Sequence, residues 1–134
     1  MLMLVASCDF APFLVTVHVT DEAGHDRLNP DSEYFIGENI TAVYEGQDYP
    51  VQKMIPGTKT YLPRFFGLEW RMDRQYGYYL CFGEFDGAES QDVSVTFIWP
   101  DGTTDTIHAT HARFIGDTWR LNGKRVDAPI TLVK

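Results

Sequence analysis

Basic residues are scarce in this chain: 11 lysines and arginines stand against 19 acids in 134 residues, a formal net charge of −8. Such a surface lacks the positive footprint with which proteins displace counterions from nucleic acid or settle on anionic membranes, so nucleic acid is not an expected partner. The deficit is dispersed, with −5 over residues 1–67 and −3 over residues 68–134, so it marks a solvated surface and not a concentrated acidic site. Cysteine is also rare, at Cys8 and Cys81 alone. Helical stripes of useful length are missing, because Pro, Gly and β-branched residues interrupt every window. A Gly-x-Ser-x-Gly elbow, a glycine-rich phosphate loop and a His-Glu-x-x-His helix are absent too. No cofactor is implied. No linker, internal repeat or low-complexity tract divides the chain, and its length fits one domain.

Charge is also missing from the first eight residues, Met1-Leu2-Met3-Leu4-Val5-Ala6-Ser7-Cys8. Seven apolar residues are too few to span a bilayer, which takes about 20 as a helix. They are short for a secretory signal, and no basic residue precedes them. Val5-Ala6-Ser7-Cys8 nevertheless resembles a bacterial lipobox: an aliphatic residue, two small residues that fit a signal peptidase, and a cysteine whose thiol accepts the acyl chain. Residues 1–8 are accordingly expected to be a truncated lipoprotein signal and tether, with Cys8 lipidated, ahead of one domain over 9–134. Lipidation of Cys8 would leave Cys81 unpaired; a free Cys8 in an oxidising compartment would leave a Cys8–Cys81 bridge open. Cys81 sits in Tyr78-Tyr79-Leu80-Cys81-Phe82 with no local base, which suits a small buried hydrophobe better than a nucleophile.

The remaining pattern is β. Phe13, Val15, Val17 and Val19 alternate with Thr16, His18 and Thr20, the signature of a half-buried strand. Asp21-Glu22-Ala23-Gly24 ends it, and His25 to Gly37 reads as a long loop. Strands are predicted at Asn39–Tyr44 and Tyr49–Ile55 around the Glu45–Asp48 turn, then along Phe66–Asp73 and Gly77–Phe85. Gly83 marks a bulge. Val93, Val95, Phe97 and Trp99 share the inward face of the next strand. Pro100-Asp101-Gly102 turns it into Thr103–Phe114, with Ile107 and Ala109 inward. Asn122-Gly123 predicts a type I′ hairpin between Trp119–Leu121 and Lys124–Val126. Ile130–Val133 is the last strand. About eight short strands of unequal length make an all-β, antiparallel sandwich the expected fold.

Candidate chemistry is thin. His108 and His111 are three apart, which on a strand sends them to opposite faces, and His18 and His25 are remote; no metal site is expected. Asp21-Glu22-Ala23-Gly24-His25-Asp26 and Asp101-Gly102-Thr103-Thr104-Asp105 carry carboxylates, but without the ligand spacing of a calcium loop. Nineteen acids guarantee chance carboxylate pairs, so pairs alone do not indicate hydrolysis. The clearest binding clue is the aromatic run from Tyr61 to Phe85. Phe66, Trp70 and Phe82 fit inward positions, whereas Tyr76, Tyr78 and Tyr79 cannot all face one way. These three tyrosines are the candidate ligand-binding residues, able to stack on a sugar or anchor a protein.

Val15-Thr16-Val17-His18-Val19-Thr20-Asp21-Glu22-Ala23-Gly24, then Asn29-Pro30, then Asn39-Ile40-Thr41-Ala42-Val43-Tyr44-Glu45-Gly46 resembles a layout recurring in Bacteroidetes-type lipoproteins. Its first part is loosely similar to the carboxypeptidase-regulatory, transthyretin-like sandwich. The likeness covers about the first third of the chain. It implies an Ig-like or transthyretin-like domain in the bacterial cell envelope, on the periplasmic face or the cell surface, and it carries over no functional residue. The expected function is a lipid-anchored, non-catalytic binding module for a protein or glycan. The alternatives are a small envelope hydrolase or metal-dependent enzyme, and a structural accessory of a surface complex.

Overall fold

Alternation along the sequence translates directly into two packed sheets. The computed structural model describes residues 12–53, 66–75 and 77–134; residues 1–8 with Cys8, and Tyr76, lie outside the described residues. Eleven strands are present among the described residues: β1 (Phe13–Thr20), β2 (Thr41–Tyr44), β3 (Gln47–Pro50), β4 (Gln52–Lys53), β5 (Gly67–Asp73), β6 (Gly77–Phe85), β7 (Gln91–Ile98), β8 (Thr104–Ala112), β9 (Gly116–Leu121), β10 (Lys124–Val126) and β11 (Ile130–Val133). One sheet has the order β11-β1-β6-β5-β4 and the other β10-β9-β8-β7-β2-β3. The all-β sandwich predicted from the sequence is therefore the fold. Several of the extra strands are short edge pieces.

The core lies between the sheets. Val15, Val17 and Val19 of β1, with Leu80 and Phe82 of β6, face Val93, Val95 and Phe97 of β7 and Ile107 and Ala109 of β8, all essentially without solvent contact. Full burial of each Val, Leu, Ile or Phe is worth about 1.5–3 kcal/mol, so this interleaved layer is the main source of stability. At one end Tyr44 and Tyr49 from one sheet meet Phe82 and Phe85 from the other, with Phe66 between them. Phe66, predicted inward, is 39% exposed because it precedes the first ladder pair of β5 and caps this cluster at its rim. Met72, on the same alternation, is 52% exposed near the end of β5.

Two ladders are parallel where antiparallel pairing was expected throughout. The predicted return strand Tyr49–Ile55 pairs with β2 as far as Pro50, and one further bond runs from the Val51 N–H to the Ile40 carbonyl at 2.9 Å. The chain then crosses sheets, and Gln52 and Lys53 of β4 pair in parallel with Glu69 and Trp70 of β5. Likewise β11 pairs in parallel with β1, starting at Val17↔Ile130. That partner covers only the second half of β1, so among the described residues the edge beside Leu14 and Thr16 has no strand neighbour on that side.

Turns follow their chemistry. Glu45 and Gly46 have φ of 50° and 77°, and Asn122 and Gly123 have 50° and 86°, the positive pair that a type I′ hairpin requires. Gly83 lies at the predicted bulge, where the β1–β6 register shifts between Phe13 and Val15. Its φ is +147°, and an added Cβ would sit 2.9 Å from Leu14 Cδ2 and 3.1 Å from the Phe13 carbonyl oxygen. The long loop after β1 is pinned rather than loose. Leu28 is fully buried in the core. Beside it, the Asp26 carboxylate accepts the backbone N–H groups of Leu28 at 2.9 Å and of Tyr78 at 3.0 Å.

Candidate functional site

The half-covered edge of β1 borders a concavity. Leu14, Thr16 and His18 point outward from β1. Because β11 joins only at Val17, the preceding connector, Ala128-Pro129, forms a wall instead of a ladder. Tyr79 of β6 and Asp73 of β5 close one end, and Trp119 of β9 closes the other. The resulting pocket has a volume of about 450 Å³, within the range of small-ligand sites. Its lining is mostly apolar with a few polar groups: Thr16, His18, Asp73 and the Tyr79 hydroxyl. The His18 ring lies 5.6 Å from the Tyr79 ring, and His18 is only 9% exposed although it faces outward. Trp119 is held by the Phe13 ring at 5.6 Å. Two half-buried aromatic rings with polar groups between them can stack on an apolar face and hydrogen-bond an edge, the requirement for binding a pyranose.

The candidate tyrosines separate as strand geometry demands. Tyr79 lines the pocket, opposite Arg71 in the β5 ladder. Tyr78 faces the other way and packs against the core. Tyr76 lies outside the described residues. The two described tyrosines therefore do not form one patch. Leu14, Trp119, Ala128 and Pro129 of the pocket had no local signal in the sequence; the partial β1–β11 pairing brings Ala128 and Pro129 beside Leu14, and contact with Phe13 brings Trp119 across from the other sheet.

Other chemistry-bearing groups are engaged in holding the fold. Cys81 is a free thiol, 2% exposed, on the face of β6 that carries Tyr79. Burial pushes it up to about 11, with the Arg71 guanidinium opposing the shift, so it is inert as a nucleophile. His111, on β8, is clasped from both sides. Nδ1 lies 2.5 Å from the Asp117 carboxylate, Nε2 lies 2.8 Å from the Gly87 carbonyl, and the ring stacks on Phe13 at 4.7 Å. Two acceptors on two ring nitrogens favour the doubly protonated imidazolium. The Gly87 carbonyl first, and then Asp117, accordingly raise its pKa. A histidine so held is a poor general base. His108 faces the opposite side of β8, 3.5 Å from Asp92. His25 bonds to Asp21 at 2.8 Å and stacks on Tyr34 at 3.8 Å.

The acidic loops likewise serve local donors. Asp21 accepts the His25 N–H at 2.8 Å. Asp101 accepts the Thr103 N–H at 2.9 Å and its hydroxyl at 2.6 Å, which together lower the Asp101 pKa. Asp105 ties the opposite end of the sandwich together. Its carboxylate accepts Trp99 Nε1 at 2.7 Å, Asn122 Nδ2 at 2.9 Å and Lys134 Nζ at 3.0 Å. Burial opposes its ionisation, but these three donors hold its pKa below the ordinary carboxylate value. Among the described residues no group of three or more His, Cys, Asp or Glu is placed to hold a metal ion.

Fold and pocket thus define a two-sheet β-domain with a side pocket lined by aromatic and polar groups. Comparison of the chain with protein-family models, curated proteins and solved structures finds no match.

Proposed function

We propose that the protein is a non-catalytic binding domain of the bacterial cell envelope, anchored by a lipid on Cys8, that takes a small glycan in the Tyr79–Trp119 pocket. The pocket carries this reading: two aromatic rings flank Thr16, His18 and Asp73 in about 450 Å³. Such a mixture suits a ligand with one apolar face and hydroxyls at its rim. A binding role also agrees with the described histidines. His25, His108 and His111 are each paired with a carboxylate in the framework. Envelope placement rests on Val5-Ala6-Ser7-Cys8 and on the acidic, strand-rich composition.

A glycan array followed by calorimetry on the retained oligosaccharide tests the pocket. Tyr79→Ala should weaken binding about tenfold or more, in line with a buried aromatic contact worth over 1 kcal/mol. Tyr78→Ala, on the core side, should lower stability and leave affinity within about twofold. Full affinity in Tyr79→Ala, or no glycan retained by the native protein, would refute the pocket reading. The anchor is tested separately by palmitate labelling in a bacterial host, which Cys8→Ala should abolish.

A further inference from the structure

The β8–β9 turn ends in two bare apolar side chains. Phe114 is 82% exposed and Ile115 is 87% exposed, more than any other large hydrophobic described. Single exposed hydrophobics are ordinary, but adjacent ones at the outermost point of a hairpin form a wedge. The turn is well built. The Ile115 N–H donates to the Ala112 carbonyl at 3.1 Å, and the Arg113 N–H donates to Ser90 Oγ at 3.0 Å. Phe114 takes a φ of +70°, a left-handed conformation unfavourable to a bulky side chain, and the Arg113 guanidinium sits 4.5 Å from its ring centroid.

This tip shares a pole with the start of β1. His111, three residues before Phe114, stacks on Phe13, and Phe13 pairs with Phe85 at the end of β6. Cys8 precedes Pro12 by four residues, a reach of at most about 14 Å. A bilayer holding an acyl chain at Cys8 therefore lies beside the pole that carries the wedge. Asp86 and Glu89 on the neighbouring β6–β7 turn disfavour anionic headgroups. A neutral, zwitterionic interface suits an apolar wedge beside one guanidinium and these acids.

We propose that the β8–β9 tip is a membrane-docking element that seats Phe114 and Ile115 in the interface of a neutral bilayer, fixing the domain's orientation above it. The inference rests on the anchor reading only for the side of the molecule that faces lipid. Its test supplies the tether chemically. The full chain is coupled through the Cys8 thiol to maleimide lipid in phosphatidylcholine vesicles carrying brominated acyl chains. Cys81, 2% exposed, is left unmodified. An indole is introduced by Ile115→Trp at the tip, or by Glu22→Trp in the exposed turn after β1 at the other pole, with the native protein as baseline. The added emission in Ile115→Trp should shift to the blue and be quenched severalfold more than in Glu22→Trp. Adding Phe114→Ser should reduce that quenching. Equal quenching at both poles, or none at the tip, overturns the proposal. Palmitate labelling of Cys8 reports the anchor independently, so the two failures are distinguishable.

Discussion

Trp99 and Trp70 carry the same side chain in opposite hydrogen-bonding states, which allows a comparison in which side-chain volume largely cancels. Trp99 is 1% exposed, and its indole N–H donates to the Asp105 carboxylate at 2.7 Å; the Lys134 ammonium lies 5.4 Å from the ring centroid. Trp70 is 6% exposed, packs on Phe35 at 5.2 Å, and its Nε1 is buried with no partner among the described residues. Replacing either by Phe removes a similar volume and leaves a similar cavity. Trp99→Phe also removes a hydrogen bond to a charged acceptor, worth about 1.5–3 kcal/mol. Trp70→Phe instead relieves an unpaired buried donor, whose desolvation costs about 1–3 kcal/mol. The two variants should therefore differ by roughly 2.5–6 kcal/mol, with Trp99→Phe the less stable. Against the roughly 5–15 kcal/mol typical of a domain, that gap is large. Urea unfolding with unchanged slope reads it as a difference in midpoint. Equal midpoints, or a lower midpoint for Trp70→Phe, would refute the assignment of these two N–H groups.

Three further outcomes are expected. The His111 pKa is raised in the folded protein, so its contribution to stability is complete below the ordinary histidine value and is lost as pH rises through the raised one. The melting-temperature gap between native protein and His111→Gln should accordingly shrink between about pH 6 and pH 8, and a gap constant across that window would contradict the clasp. Gly83→Ala forces a Cβ against Leu14 and the Phe13 carbonyl at a φ of +147° and should cost about 1–3 kcal/mol in chemical denaturation. Cys81, held up to about 11 by burial, should react with a thiol reagent at mildly alkaline pH only after unfolding. Modification at the rate of a free thiol in the native state would place it elsewhere.

Local pattern was enough for most of the strands and failed where distant segments decide. Gly77–Phe85 and Ile130–Val133 coincide with β6 and β11 because glycine or proline bounds each start and alternation fills the rest. Ile107 and Ala109 are inward as their spacing implies. By contrast, nothing near Val51 announces that the chain changes sheets there, since only the competition between two sheet edges settles it. Thr103–Phe114 was expected to run on to Phe114, but β8 stops at Ala112, where the turn opens into the positive φ of Phe114. The pocket was least legible. Tyr79 was among its candidate residues, yet Leu14 and Pro129 converge through the β1–β11 pairing and Trp119 through the contact of the two sheets at Phe13, neither of which leaves a mark at any one position.

That pairing also bears on the order in which the molecule can be made. β1 is the first described strand and its partner β11 the last, so the ladder from Val17 to Thr20 waits on more than a hundred intervening residues. Contacts so distant in sequence carry the largest loop-closure penalty and tend to form late and slowly. A partly synthesised chain would hold this part of β1 with one side open until Ile130–Val133 had been made. The wall that Ala128 and Pro129 give the Tyr79 pocket would form only with that late pairing.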